Sequence, residues 1–225
     1  MTRIKICGLQ SAEDISYVNQ LKPDYIGFVF LQGRRRYVSL EDAAALRMLL
    51  DPSIQSVGVF VNESIENIIS LLQNQTIQIV QLHGQEDASY VQKLKSLYNC
   101  PVIKAFIIKT KEDVQKAVNF PADYLLWDNG PGTGKTFDWS LIQEINRPFF
   151  LAGGLNSENV AQAISMTHPY AVDTSSGVET NQRKDYKKLE SFIRSVHNIE
   201  GGEKICQKKK DVSEFMADNT FLKLS

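Results

Sequence analysis

Two periodicities alternate along this chain. Short runs rich in β-branched and other apolar residues predict strands at Arg3–Cys7, Asp24–Phe30, Gln55–Phe60, Ile77–Leu82, Val102–Phe106, Tyr124–Asp128, Pro148–Leu151 and Ala171–Asp173. Between them apolar residues recur at three- and four-residue spacing, as at Val91, Leu94 and Leu97. That period predicts helices over Ser11–Gln20, Ser39–Leu50, Ser64–Gln73, Glu86–Tyr98, Lys111–Asn119, Asp138–Ile145, Ser157–Met166 and Asp185–His197. Local punctuation agrees. Ser11 precedes Ala-Glu-Asp, a cap followed by acids in the first turn, and Ser39 opens a helix that Pro52 follows.

Eight strand–helix units in about 200 residues is the count of a (β/α)₈ TIM barrel, an α/β fold. A doubly wound sheet is the rival. It carries its glycine-rich turn after the first strand, whereas here such turns follow strands seven and eight. The expected organisation is one catalytic domain over residues 1–198 and a short C-terminal extension over 199–225. The extension carries Gly201-Gly202, a lysine run at 208–210 and one short apolar face, and reads as a surface-packed or mobile tail.

In such a barrel, chemistry sits at the C-terminal ends of the strands. Four of the predicted strands end in reactive groups: Cys7, His83, Asp128 and Asp173. A lone cysteine also reads as a small buried hydrophobe. At a strand end beside Gly8 it is equally a thiolate base, if its pKa is lowered. Asp128 closes an apolar run and reads as a loop cap or as an acid of raised pKa. The turns Gly153-Gly154 and Ser176-Gly177 let backbone N–H groups approach an oxyanion, at the two strands where barrels hold phosphate. Arg34-Arg35-Arg36 follows strand two. One of the three is expected to point inward, where an arginine suits a substrate carboxylate. The run from Asn129 to Thr136 looks like a nucleotide P-loop, but Asn129 replaces its first glycine, so it reads better as a mobile loop beside Asp128.

Composition narrows the partners. Hydrophobic content is 43% and formal net charge −1, which argues against nucleic acid or an anionic membrane surface. No run approaches the roughly 20 apolar residues of a membrane helix, and the N-terminus enters a strand without a signal core. Cys7, Cys100 and Cys206 form no CxxC pair, and His83, His168 and His197 lack metal-ligand spacing. A cytoplasmic protein with no metal is expected.

Several segments together resemble phosphoribosylanthranilate isomerase. They are Lys5-Ile6-Cys7-Gly8, Gly27-Phe28-Val29-Phe30, Arg36-Tyr37-Val38-Ser39, Val57-Gly58-Val59-Phe60-Val61-Asn62, Gln81-Leu82-His83-Gly84, Gly134-Lys135-Thr136-Phe137-Asp138-Trp139, Gly153-Gly154-Leu155 and Asp173-Thr174-Ser175-Ser176-Gly177-Val178-Glu179. The resemblance implies a cofactor-free Amadori rearrangement in tryptophan biosynthesis by a monomer or homodimer acting on a small phosphosugar. It places the general base on Cys7, the general acid on Asp128 and the carboxylate-binding arginine on Arg36. It puts the phosphate loops on Gly153, Gly154, Ser176 and Gly177, with His83 and Asp173 near the substrate. Arg34 and Thr174 depart from the family pattern. Indole-3-glycerol-phosphate synthase, a related barrel, is the enzymatic alternative; it calls for lysine and glutamate catalysts at strand ends. A non-catalytic phosphosugar binder is the other alternative; it would have lost the acid or the base, and both are present.

Overall fold

A computed structural model describes residues 1–130, 136–143 and 145–199. Eight parallel strands close into a barrel in chain order: β1 (Arg3–Cys7), β2 (Tyr25–Val29), β3 (Gln55–Phe60), β4 (Ile79–Leu82), β5 (Val102–Ile107), β6 (Tyr124–Asp128), β7 (Phe149–Leu151) and β8 (Ala171–Thr174). The helices are α1 (Ala12–Leu21), α2 (Leu40–Leu49), α3 (Ile65–Gln73), α4 (Ala88–Leu97), α5 (Lys111–Ala117), α6 (Val160–Thr167) and α7 over 186–199. A hairpin of β9 (Glu179–Thr180) and β10 (Arg183–Lys184) follows β8. Its turn residues Asn181 and Gln182 both have positive φ, as a tight hairpin requires.

The predicted caps form. Ser11 and Asp14 make a reciprocal capping box, and Ser39 and Ser64 accept from Asp42 N and Asn67 N. Each such cap contributes about 1 kcal/mol. One predicted element fails. The helix expected over Asp138–Ile145 is a single 3₁₀ turn, Trp139–Ile142, and among the described residues no α-helix lies between β6 and β7. Asp138 caps Ser140 N, and only Trp139 and Ile142 of that turn are buried, at the three-residue spacing a 3₁₀ turn aligns. Arg147 then turns back to donate to the carbonyls of Val118, Phe120 and Ala122. Residues 131–135 of the loop expected beside Asp128, and the extension from residue 200 onward, lie outside the described residues.

Two apolar layers hold the fold. The larger joins the outer face of the barrel to its helices; the smaller fills the barrel with Tyr25, Val57, Ile79, Ile103, Leu126 and Phe150. Period two then decides what faces inward. On β1 it is Arg3, Lys5 and Cys7, because Ile4 and Ile6 pack outward. The same alternation carries Asp173 on β8 and Asp128 on β6 to the inner face at the C-terminal rim. Among the described residues no helix is long and apolar enough to cross a membrane.

Candidate active site

Cys7 ends β1, and its register partner on β2 is Gly27. A Cβ on Gly27 would lie 2.8 Å from Cys7 Sγ and 3.3 Å from Lys5 Nζ. Only glycine leaves that space, and the thiol and the ammonium share it. Lys5 is fully buried and pairs with its β8 register partner: its Nζ donates to Asp173 Oδ2 at 2.9 Å. Burial pushes the Lys5 ammonium down, but Asp173 and Cys7 outweigh it and hold the charge. Burial likewise pushes the Cys7 thiol up. Lys5 and Lys184 pull it down, Asp173 pushes it up further, and the net direction is up. Asp173 Oδ1 is buried without a partner among the described residues.

Across the rim, Asp128 Oδ2 lies 3.5 Å from His83 Nε2, and Gly130 N donates to Asp128 Oδ1 at 3.3 Å. Burial pushes the carboxyl up, but His83 and the amides of Asn129 and Gly130 outweigh it, so the net direction is down. Both expected shifts are therefore reversed in the free protein: the thiol is held protonated and the carboxyl ionised. Behind His83, the buried Lys104 pairs with Glu86 at 2.8 Å, and Glu86 accepts from Asn62 N and Gly84 N. That pair ties the loops after β3 and β4 together and fixes the turn that aims His83.

Of the three arginines, Arg36 is the one partly buried, and Arg34 is exposed. A Cβ on Gly8 would come 2.3 Å from Arg36 Cδ, so the arginine stem lies flat on the residue after Cys7. Its Nε and Nη2 donate to the two oxygens of Glu179 at 2.8 and 3.0 Å. Arg35 reaches the same carboxylate at 2.7 Å, and the buried Lys184 reaches it at 2.9 Å. Burial pushes the Glu179 carboxyl up, but its three cations hold it down at about 2. Lys184 also donates to Ser175 O, and Ser175 Oγ donates to Cys7 O.

The two glycine turns meet. A Cβ on Gly177 would come 1.9 Å from Leu155 O, so the loops after β7 and β8 touch backbone to backbone. Thr174 donates to the same carbonyl at 2.7 Å; the departure from the family pattern at this position is a tie between the two loops. Gly153 has φ +85°, and a Cβ there would come 2.9 Å from Asp128 Oδ1. The turn expected to hold phosphate therefore abuts the expected acid.

The structure brings Cys7, Arg36, His83, Asp128 and Asp173 and the two glycine turns to one rim. Lys5, Glu179 and Lys184 were missed. Lys5 carries a legible signal, a charge in phase with Cys7 on a barrel strand. Glu179 and Lys184 carry none, because their partners lie far away in the chain.

A thiol and carboxylates converging at the C-terminal mouth define an eight-stranded α/β-barrel enzyme. The family model for N-(5′-phosphoribosyl)anthranilate isomerase matches residues 4–195. The isomerase of Endomicrobium trichonymphae is 48% identical over 88% of this chain and all of its own. A structure of monomers generated from the dimeric phosphoribosylanthranilate isomerase of Thermotoga maritima superposes with a TM-score of 0.80 at 39% identity, covering 88% of this chain and all of that one. A phosphoribosylanthranilate isomerase solved with reduced 1-(o-carboxyphenylamino)-1-deoxyribulose 5-phosphate is 38% identical over the same shares, with a TM-score of 0.79. The chain belongs to the N-(5′-phosphoribosyl)anthranilate isomerase family.

Proposed function

We propose that Cys7 is the general base and Asp128 the general acid of this isomerase. The enzyme converts N-(5′-phosphoribosyl)anthranilate into 1-(2-carboxyphenylamino)-1-deoxyribulose 5-phosphate in tryptophan biosynthesis. The observation that carries the assignment is the convergence of Cys7, Asp128, His83 and Asp173 on one rim, beside the paired glycine turns.

The chemistry needs one proton given and one taken. Asp128 as the acid protonates the furanose ring oxygen. The C1–O bond breaks with its electron pair going to oxygen, and the amine lone pair forms the Schiff base. The Cys7 thiolate then takes the proton from C2, and the electron pair left behind neutralises the iminium to an enolamine. Tautomerisation gives the aminoketone. Lys5 beside Sγ favours the thiolate in this step. Asp173 Oδ1, buried and without a partner among the described residues, would accept from a substrate N–H or hydroxyl. Arg36 holds the anthranilate carboxylate, and amides of Gly153, Gly154, Ser176 and Gly177 hold the phosphate.

We read residues 1–198 as the catalytic domain, and the enzyme as a cytoplasmic monomer or homodimer, the Thermotoga maritima relative being dimeric. The testing experiment follows consumption of fluorescent phosphoribosylanthranilate by the purified protein, by Cys7→Ser and by Asp128→Asn. Turnover by either variant at the wild-type rate sinks the assignment.

A further inference from the structure

The Glu179 carboxylate is the most heavily coordinated side chain of the rim, and no step of the reaction uses it. It accepts two bonds from Arg36, one from Arg35 and one from Lys184, and its side chain is almost wholly buried. Lys188 meanwhile donates to its backbone carbonyl. A surface ion pair needs none of this. Glu179 also opens the β9–β10 hairpin, whose other strand supplies Lys184. The hairpin therefore brings an anion and a cation together at the mouth of β1.

The geometry at Arg36 is one-sided. A guanidinium has five N–H donors in a rigid plane. Glu179 takes the Nε–H and one Nη2–H, the side-on edge. Among the described residues no hydrogen bond engages the remaining donors, and the end-on edge, one Nη1–H and the second Nη2–H, is left for a ligand. The Arg36 stem lies on Gly8, so that edge is held at a fixed offset from Cys7. On its other side Glu179 holds Lys184, which donates to Ser175 O, while Ser175 Oγ donates to Cys7 O.

We propose that Glu179 is a positioning residue that fixes the free edge of Arg36 for the anthranilate carboxylate, in register with the base on Cys7. The proposal rests on the reading that Arg36 holds that carboxylate. Without Glu179 a long, flexible arginine would pay rotamer entropy each time it met substrate. Glu179 thus acts on recognition of one substrate group and leaves the phosphate end untouched.

Two ligands separate the roles. One is reduced 1-(2-carboxyphenylamino)-1-deoxyribulose 5-phosphate; the other is its counterpart lacking the carboxyl group. The ratio of their dissociation constants reads carboxylate recognition alone. Arg36→Met should reduce the preference for the carboxylate by about 10- to 100-fold, the scale of a charged hydrogen bond. Glu179→Gln, with Arg36 intact, should reduce it by at least about threefold. Combining the two should reduce it no further than Arg36→Met does. Inorganic phosphate should bind all three variants like the wild type, which shows a folded site. A preference that survives Glu179→Gln but not Arg36→Met overturns the proposal alone and makes Glu179 a hairpin tie. One that survives Arg36→Met overturns the carboxylate reading and the proposal with it. Should Glu179→Gln fail to fold, Glu179→Asp carries the same test, keeping the charge while shortening its reach.

Discussion

The two mouths of this barrel are built on opposite principles. At the N-terminal mouth Arg3 donates to the Tyr25 hydroxyl at 2.8 Å, Tyr25 meets Tyr170 at 3.0 Å, and Tyr124 reaches Tyr170 at 3.4 Å. The Tyr124 and Tyr170 rings stack at 4.8 Å, and the Arg3 guanidinium lies 5.1 Å from the Tyr170 centroid. Among the described residues, none of these four side chains has a buried polar atom without a partner. At the C-terminal mouth two buried oxygens, Asp173 Oδ1 and Gln81 Oε1, have none among the described residues. Lys5 and Lys184 are buried there, and the thiol and the Asp128 carboxyl are both held away from the states that their proposed roles need. Buried unsatisfied oxygens and shifted ionisable groups gathered on one rim mark a functional end, so the difference separates the end that stabilises from the end proposed to react.

Breaking the reactive end should cost activity and leave the fold. Cys7→Ser and Asp128→Asn should each lower kcat about 10²–10⁴-fold, the worth of a positioned acid or base. Their thermal melts should match the wild type; a matched loss of stability would make these residues core rather than chemistry. Lys5→Met cuts deeper into the fold. It strands Asp173 as a buried, unpaired charge, at about 3–5 kcal/mol of stability measured by denaturant titration. It should also move the pH midpoint of iodoacetamide alkylation, followed on the Cys7 peptide, to higher pH. An unmoved midpoint would mean that Lys5 serves Asp173 alone. Tyr25→Phe tests the other mouth. Losing one hydroxyl from the tyrosine cluster should cost about 0.5–1.5 kcal/mol and leave kcat and KM as they were. Altered kinetics there would erase the distinction between the ends.

The sequence exposed this division unevenly. Cys7 was legible because it ends an alternating strand beside a glycine, Asp128 because it closes an apolar run, and Gly153 and Gly177 because their turns fall after the two strands where barrels often hold phosphate. Thr174 stood out only as a departure, and its tie to Leu155 O needs the fold to be seen. Lys5 escaped because a lysine in an alternating strand reads as solvent-facing until closure turns that face inward. The Glu179 cluster escaped because Arg36 lies 143 residues from Glu179, a distance that no local pattern spans. The helix expected after Asp138 failed for a local reason: its apolar spacing fits one tight turn as well as two loose ones. The reversed protonation of Cys7 and Asp128 arises from burial and from His83, Lys5 and Asp173 converging across the barrel, which no single strand encodes.

That reversed protonation gives the central claim its most direct test, the pH dependence of kcat/KM. On the proposed roles, activity needs the thiolate of Cys7 together with the protonated Asp128. With the Asp128 pKa lowered and the Cys7 pKa raised, this pair is a minor species whose fraction stays constant between the two values. Below the Asp128 pKa the carboxyl is already protonated and further acid only removes thiolate, so the rate falls. Above the Cys7 pKa the thiolate is complete and further base only removes the acid, so the rate falls again. The wild type should therefore be flat from about pH 5 to about pH 8, judged against ordinary carboxylate and thiol values. In Asp128→Asn the acid no longer titrates, and the residual rate should climb with pH across that same interval, following the Cys7 thiolate. A residual rate in Asp128→Asn that stays flat from about pH 5 to about pH 8 would contradict Cys7 as the base.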